Sequence, residues 1–363
     1  MTRKEKVLVA MSGGVDSSVC ALLLKEQGFP CIGTTMKLFA NEEVGLSREH
    51  TCCSLDDVED ARNVAHRLDI PYYVLNFSEQ FREKVIENFV TAYESGTTPN
   101  PCIDCNRYLK FDKLYNRARE LECGYVATGH YAQIQKDEIS HRYLLRKGAD
   151  PYKDQSYVLY SMTQEQLAHT LFPLGQMTKR QVRSLAQEHG FVTAQKHDSQ
   201  DICFVTNGRY SDFIRQYTQK TYPEGNFVDS HGNILGRHRG IIHYTVGQRK
   251  GLGLALRHPM YVRQVNPLDN TVVLGREEEL YSQSLTACNI NLISVDQIHS
   301  PLRLKAKIRY HQPEQWATVW QIGTDTLKVE FDQPQRAVTK GQAVVLYSND
   351  VVVGGGTIQG TDR

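Results

Sequence analysis

No stretch of the 363-residue chain approaches the roughly 18 consecutive apolar residues that a membrane-spanning helix needs, which argues against a transmembrane segment. The apolar run at Val7–Ala10 is too short for the core of a secretory signal and runs straight into a glycine turn, so a cytoplasmic protein is expected. Net charge is also lacking. Lys and Arg number 42 against 41 Asp and Glu, so bulk charge announces no nucleic-acid partner and any basic footprint must be local. There is no internal repeat and no low-complexity segment. The nine cysteines are odd in number and accompany no export signal, which argues against a structural disulfide framework. Reduced, catalytic or metal-bound thiols are expected instead.

The first ~125 residues alternate strand and helix patterns, which implies a parallel sheet with helices on both faces. Val7–Ala10, Cys31–Leu38, Tyr72–Leu75 and Tyr125–Thr128 are short apolar runs suited to buried parallel strands. Ser18–Glu26 with Gly28 as its stop, Leu55–Leu68 and Phe81–Tyr93 have helical spacing. After about residue 205 the pattern turns to short strands separated by Gly, Asn and Asp. The expectation is an α/β fold: a parallel-sheet nucleotide-binding domain over 1–206, a small β-rich central domain over 207–280 and a C-terminal β-barrel over 281–363.

Ser12-Gly13-Gly14-Val15-Asp16-Ser17-Ser18 lies between the first strand and the first helix. Glycines there let backbone N–H groups approach phosphate oxygens, and the helix N-terminus adds partial positive charge. Ser17 and Ser18 can donate hydroxyls, and Asp16 can hold Mg²⁺. The string is neither a Walker A loop nor a dinucleotide glycine fingerprint. It resembles the PP-loop of ATP pyrophosphatases, which cleave ATP to AMP and pyrophosphate; the competing reading is an ordinary glycine turn capping a helix.

A second signal is the loop Thr98-Pro-Asn-Pro-Cys102-Ile-Asp-Cys105-Asn106, with a third cysteine in Asp198-Ser-Gln-Asp-Ile-Cys203-Phe204. A C-x-x-C pair near a helix start favours thiolate. Three readings stay open: a persulfide carrier with a resolving thiol, ligands of a metal or iron–sulfur cluster, or buried core thiols. Cys20, Cys31, Cys123 and Cys288 sit in apolar contexts and read as core, while Cys52-Cys53 carries no ligand spacing.

In this order, S-G-G-V-D-S-S at 12–18, T-P-N-P-C-x-x-C-N at 98–106, A-T-G-H-Y-A at 127–132, K-D-Q-S-Y at 153–157, D-S-Q-D-I-C-F at 198–204 and T-V-G-Q-R-K-G-L-G at 245–253 resemble the bacterial tRNA-specific 2-thiouridylases over nearly the whole chain. The resemblance implies ATP-dependent thiolation of C2 of the wobble uridine of tRNA. By it, Cys203 carries the persulfide, received from a cysteine desulfurase through a sulfur-relay protein, and Cys105 releases the sulfur and ends in a disulfide with Cys203. Some members carry Asp where this chain has Cys102, which leaves either a general base or a third thiol ligand at that position. Related tRNA thiolases hold a 4Fe–4S cluster on three cysteines, so Cys102, Cys105 and Cys203 form the alternative ligand set. ATP is assigned to Ala10, Met11, Ser12, Gly13, Gly14, Val15, Asp16 and Ser17, with Met36 and Gly129 at the adenosine. Contacts to tRNA fall to Asn100, Pro101, Cys102, His130, Lys153, Asp154, Gln155, Arg309, Tyr310 and Gln342. The uridine would flip into a pocket between the PP-loop and Asn100-Pro101-Cys102.

Local basic clusters at Arg237/Arg239, Arg249-Lys250 and Arg303/Lys305/Lys307/Arg309 suit tRNA phosphates, the last four expected on one face of a strand. Singly, each cluster reads as a solvated surface. Two rival functions remain: an amide-forming PP-loop synthetase, which needs no sulfur-handling cysteines, and a metal-dependent RNA-binding module, which needs no PP-loop.

Overall fold

The computed structural model describes residues 4–39, 55–196, 202–205 and 209–362. These form two compact units, Met1–Val85 with Cys102–Gly208 and Asp350–Val353, and Ile86–Pro101 with Arg209–Asn349 and Gly354–Arg363. The first unit is built on a parallel five-stranded sheet of β1 (Val7–Ala10), β2 (Cys31–Lys37), β3 (Tyr72–Asn76), β4 (Tyr125–Ala127) and β7 (Thr170–Leu171), in the order β3-β2-β1-β4-β7. β1 is a run of four apolar or small residues because both of its faces are covered, and Val7, Leu8 and Val9 are fully buried. Helix α1 (Val15–Glu26) starts three residues before the expected Ser18, so most of the glycine string belongs to its first turn. α1, α2 (Leu55–Arg67) and α6 (Lys179–Glu188) bury Val19, Ala61, Val64, Ala65, Val182 and Ala186 in one cluster with β1.

The region read as one helix over Phe81–Tyr93 is α3 (Ser78–Phe81), a wider π-helical turn over Arg82–Ile86, and α4 (Glu87–Glu94), which belongs to the second unit. A hairpin absent from the sequence reading, β5 (Ala132–Lys136) and β6 (Tyr143–Lys147), follows β4, and Val351 pairs with Arg146 beside it.

In the second unit β8 (Gly225–Val228), β9 (Ile234–His238), β10 (Tyr261–Asn266) and β11 (Thr271–Gly275) form a sheet ordered β10-β11-β8-β9. Two hairpins turn there, around Asp229–Asn233 and at Asp269-Asn270, where Asn270 takes a positive φ of 52°. β12 (Tyr281–Leu292), β13 (Leu302–Lys307), β14 (Gln315–Gly323), β15 (Thr326–Arg336), β16 (Ala343–Ser348) and β17 (Val351–Thr361) close into a barrel through the β12–β17 pairing. Strand alternation turns Leu285, Ala287, Leu304, Ala306, Val319, Val329 and Phe331 inward, all buried. α4 joins this unit by stacking Tyr93 on Tyr210 at 4.3 Å and packing Phe89 edge-on to Phe213 at 6.3 Å.

Candidate active site

The chain runs from β1 through α1 to β2 on one side, then returns to β4 on the other, so the strand order reverses between β1 and β4. Ligands of open parallel sheets bind at the carboxyl ends of strands at such a point. Ser12–Gly14 follow β1 there, and Gly129-His130 follow β4. Gly13 has φ +73°, and a Cβ on it would lie 2.3 Å from the Asp57 carbonyl oxygen. A Cβ on Gly129 would lie 2.8 Å from the Asp16 carbonyl carbon and 2.9 Å from the Ser17 nitrogen. Both glycines therefore answer to close backbone approach. The amides of Val15, Asp16 and Ser17 sit in the first turn of α1, where no carbonyl precedes them within the helix. The hydroxyls of Ser17 and Ser18 donate inward to the Gly14 carbonyl, both at 3.0 Å, so loop shape rather than an outward hydroxyl is their role in this state. Met36 stands near the end of β2, Ala10 ends β1 and Met11 follows it, with the Met11 carbonyl accepting from Thr35 Oγ1 at 2.5 Å.

Two lysines that the sequence reading passed over organise this crevice. Lys196 Nζ donates to the Gly13 carbonyl at 3.1 Å, to Asp57 at 2.5 Å and to Asp60 at 2.7 Å, tying the loop to α2. Burial acts to lower its pKa, but the two carboxylate hydrogen bonds outweigh that and hold it raised. Lys179 Nζ donates to both oxygens of Asp16 at 2.8 Å, and Tyr131 Oη donates to the same carboxylate at 2.7 Å. The Tyr131 amide in turn donates to Gln155 Oε1 at 3.0 Å. Asp154 accepts from the amides of Gly148 and Ser156 and from the Ser156 hydroxyl, so the K-D-Q segment is a braced turn tied to Asp16 through Tyr131. Lys153 is half-buried beside it. His130 is only 7% exposed, bonded at Nδ1 to Thr128 Oγ1 at 2.6 Å and packed on Phe111 and Phe172. Burial, with Lys110 adding to it, holds the imidazole well below its usual pKa and hence neutral.

Cys102 is exposed on the short helix α5 (Pro101–Asp104), and Cys105 is half-buried at the start of a π-helical segment, Cys105–Lys113. Asp104 between them is pushed up to about 6 by burial, against the opposing pull of Arg107. Cys203 is half-buried; Phe204 after it packs edge-on to Phe81 of α3, and α3 lies against the Cys105–Lys113 segment. Asp198–Asp201 and Cys52-Cys53 lie outside the described residues. Cys20, Cys31 and Cys123 are buried with raised thiol pKa values, as core thiols should be, whereas Cys288 on β12 is only half-buried.

In the second unit Gln342 Nε2 donates to the carbonyls of Thr98 at 2.9 Å and Pro99 at 3.1 Å, holding the segment that carries half-buried Asn100 and buried Pro101. Arg309 Nη2 donates to the Ala337 carbonyl and Thr339 Oγ1, and Tyr310 stacks edge-on to His311. Of the four basic residues expected on one strand face, Arg303, Lys305 and Lys307 are on β13, while Arg309 lies past its end. A cavity of about 410 Å³ is lined by Arg249, Leu252, Leu254, Arg257, His258 and Met260.

The tRNA methyl transferase HUP domain family matches residues 5–207, its PRC-barrel domain 211–276, and the aminomethyltransferase β-barrel domain 282–358. The chain is 53% identical over 359 residues to the tRNA-specific 2-thiouridylase MnmA of Clostridioides difficile, covering 99% of each chain. It is 54% identical to that of Acetivibrio thermocellus, over 98% of this chain and 99% of the relative. The chain belongs to the tRNA-specific 2-thiouridylase family.

A member of this family would be expected to carry its nucleotide where the glycine loop meets the β1–β4 switch point. For Mg²⁺, Asp16 is the candidate ligand: a magnesium ion takes one or two carboxylates and completes its shell with phosphates and water. Among the described residues no three His, Cys, Asp or Glu side chains stand together so as to hold a metal, and that includes Cys102, Cys105 and Cys203. Nor is any helix among them long and apolar enough to cross a membrane.

Proposed function

We propose that the protein uses ATP to replace the C2 oxygen of the tRNA wobble uridine with sulfur. The observation that carries this is the glycine loop clamped at the switch point of a parallel sheet in a 2-thiouridylase family member, together with cysteines at 102, 105 and 203. Phosphates would lie against the first-turn amides of α1, with Met36 and Gly129 at the adenosine. Asp16 would hold Mg²⁺, which would neutralise charge on the phosphates. The uridine O2 attacks the α-phosphate and pyrophosphate leaves, so the oxygen becomes part of a good leaving group. The terminal sulfur of a Cys203 persulfide then bonds to C2, and AMP departs with the original oxygen. The Cys105 thiolate attacks the Cys203 sulfur, leaving the terminal sulfur on the base and a Cys105–Cys203 disulfide that a thiol reductant must reopen. A cysteine desulfurase, through a sulfur-relay protein, would supply the persulfide.

The tRNA contacts proposed are Asn100, Pro101, Cys102, Lys153, Arg309 and Tyr310. His130, Asp154, Gln155 and Gln342 enter the same reading chiefly as supports, because each is buried or already bonded to backbone. Localisation in the cytoplasm, where tRNA is found, is part of this proposal.

The test is incubation of iron-free protein with ATP, Mg²⁺, unmodified tRNA and a persulfide donor, with nucleosides read by mass spectrometry. 2-Thiouridine formed without iron is the expected result. Formation only after iron–sulfur reconstitution would overturn the persulfide route. Pyrophosphate release that ignores tRNA would favour an amide-forming synthetase.

A further inference from the structure

Lys179 is the first residue of the ten-residue helix α6, directly after the Thr178 cap. The first helical turn is a poor place for a cation, because the amide dipoles there already present positive charge. Only 12% of the side chain is exposed, and its ammonium sits 6.0 Å from the Tyr131 ring. What holds it is Asp16, through both carboxylate oxygens. Asp16 itself stands in the first turn of α1 with the Tyr131 hydroxyl also donating to it. The crevice thus gathers two helix N-termini and a largely buried ammonium beside the Asp16 carboxylate, while buried Asp150 accepts from the Lys179 amide at 2.9 Å and so caps the backbone rather than the ammonium. Through Asp16 the ammonium is held at the first turn of α1, whose amides suit phosphate.

We propose that Lys179 is a phosphate-binding residue of the nucleotide site, stored on Asp16 and transferred to the polyphosphate when Mg²⁺ takes the carboxylate. This rests on the reading of the glycine loop as an ATP site. The exchange leaves no charge unpaired: Asp16 trades an ammonium for a metal ion, and the ammonium trades a carboxylate for a phosphate oxygen. A residue serving only as the counter-ion of Asp16 would affect every nucleotide alike. A phosphate ligand affects nucleotides in proportion to their phosphate charge.

The experiment is titration calorimetry of the full chain with Mg²⁺, comparing a non-hydrolysable ATP analogue with AMP. For Lys179→Gln the expected loss is roughly 10- to 100-fold for the ATP analogue, the worth of a charge-assisted hydrogen bond, and under about 3-fold for AMP. Lys179→Arg should recover most of the difference. Equal losses for both ligands, or none, overturn the proposal while leaving the ATP reading intact. Failure of the unsubstituted protein to bind the analogue overturns that reading, and this proposal with it. A second measurement needs no variant: acetylation of Lys179, followed by peptide mass spectrometry. Pyrophosphate with Mg²⁺ should change its rate by several-fold and AMP should not; a rate indifferent to pyrophosphate counts against the assignment.

Discussion

Gly129 has an ordinary negative or extended backbone yet leaves no room for a methyl group, since its Cβ would meet the first turn of α1 at 2.8–2.9 Å. Gly129→Ala should therefore push the β4 loop off the PP-loop, at a cost of about 1–3 kcal/mol, and weaken binding of an ATP analogue at least several-fold by calorimetry. Cys203→Ala should abolish 2-thiouridine while tRNA-dependent pyrophosphate release persists; thiouridine from that variant would remove Cys203 from the persulfide role. Asp104 supplies a pH test. Its carboxyl is raised from 3.8 to about 6 by burial, so the folded state disfavours the charged form. The resulting destabilisation is complete above pH 6 and relieved as pH falls from 6 toward 3.8. Asp104→Asn should raise stability by about 1–3 kcal/mol at pH 7.5, with the gain fading below pH 5; urea melts at the two pH values measure it.

At the scale of elements, the segment from Thr97 to Pro101 is held by backbone and side chain together. The Thr98 amide donates to the Lys340 carbonyl at 2.9 Å, and Gln342 takes the carbonyls of Thr98 and Pro99. Gln342→Ala removes two hydrogen bonds to a stretch that leads straight into α5 and Cys102. The expected result is a loss of about 1–2 kcal/mol in local stability, read as faster protease cleavage near Thr98 with the global unfolding midpoint little changed. Unaltered cleavage would show that the Lys340 contact suffices. The two prolines in T-P-N-P made the segment legible as a stiff loop. That a glutamine some 240 residues onward brackets it was not legible, because pairing at that separation leaves no periodic trace.

For the whole molecule, balanced composition hides a local basic surface. Arg249, Arg257 and His258 line one cavity, and Arg239 and Lys250 are near in sequence. If tRNA phosphates are neutralised there, log affinity falls linearly with log salt concentration. Replacing Arg249 and Lys250 by Gln should weaken tRNA binding across tRNA sequences and reduce that slope by about 1–2. A lower affinity with an unchanged slope would place the phosphates elsewhere.

The alternation of apolar strands with amphipathic helices, the glycine string and the order of six motifs determined by themselves the parallel sheet, the loop after its first strand and the family. Those are local signals: side-chain periodicity reports burial, and glycine reports backbone approach. Tertiary structure alone decided the rest. It alone brought Lys179 and Lys196 to the loop, across 163 and 183 residues of chain. It alone packed residues 86–101 with the C-terminal half of the protein rather than with the sheet that precedes them. An isolated lysine carries no pattern, and an ammonium finds its carboxylate only after the hydrophobic core has brought the helices that carry them together.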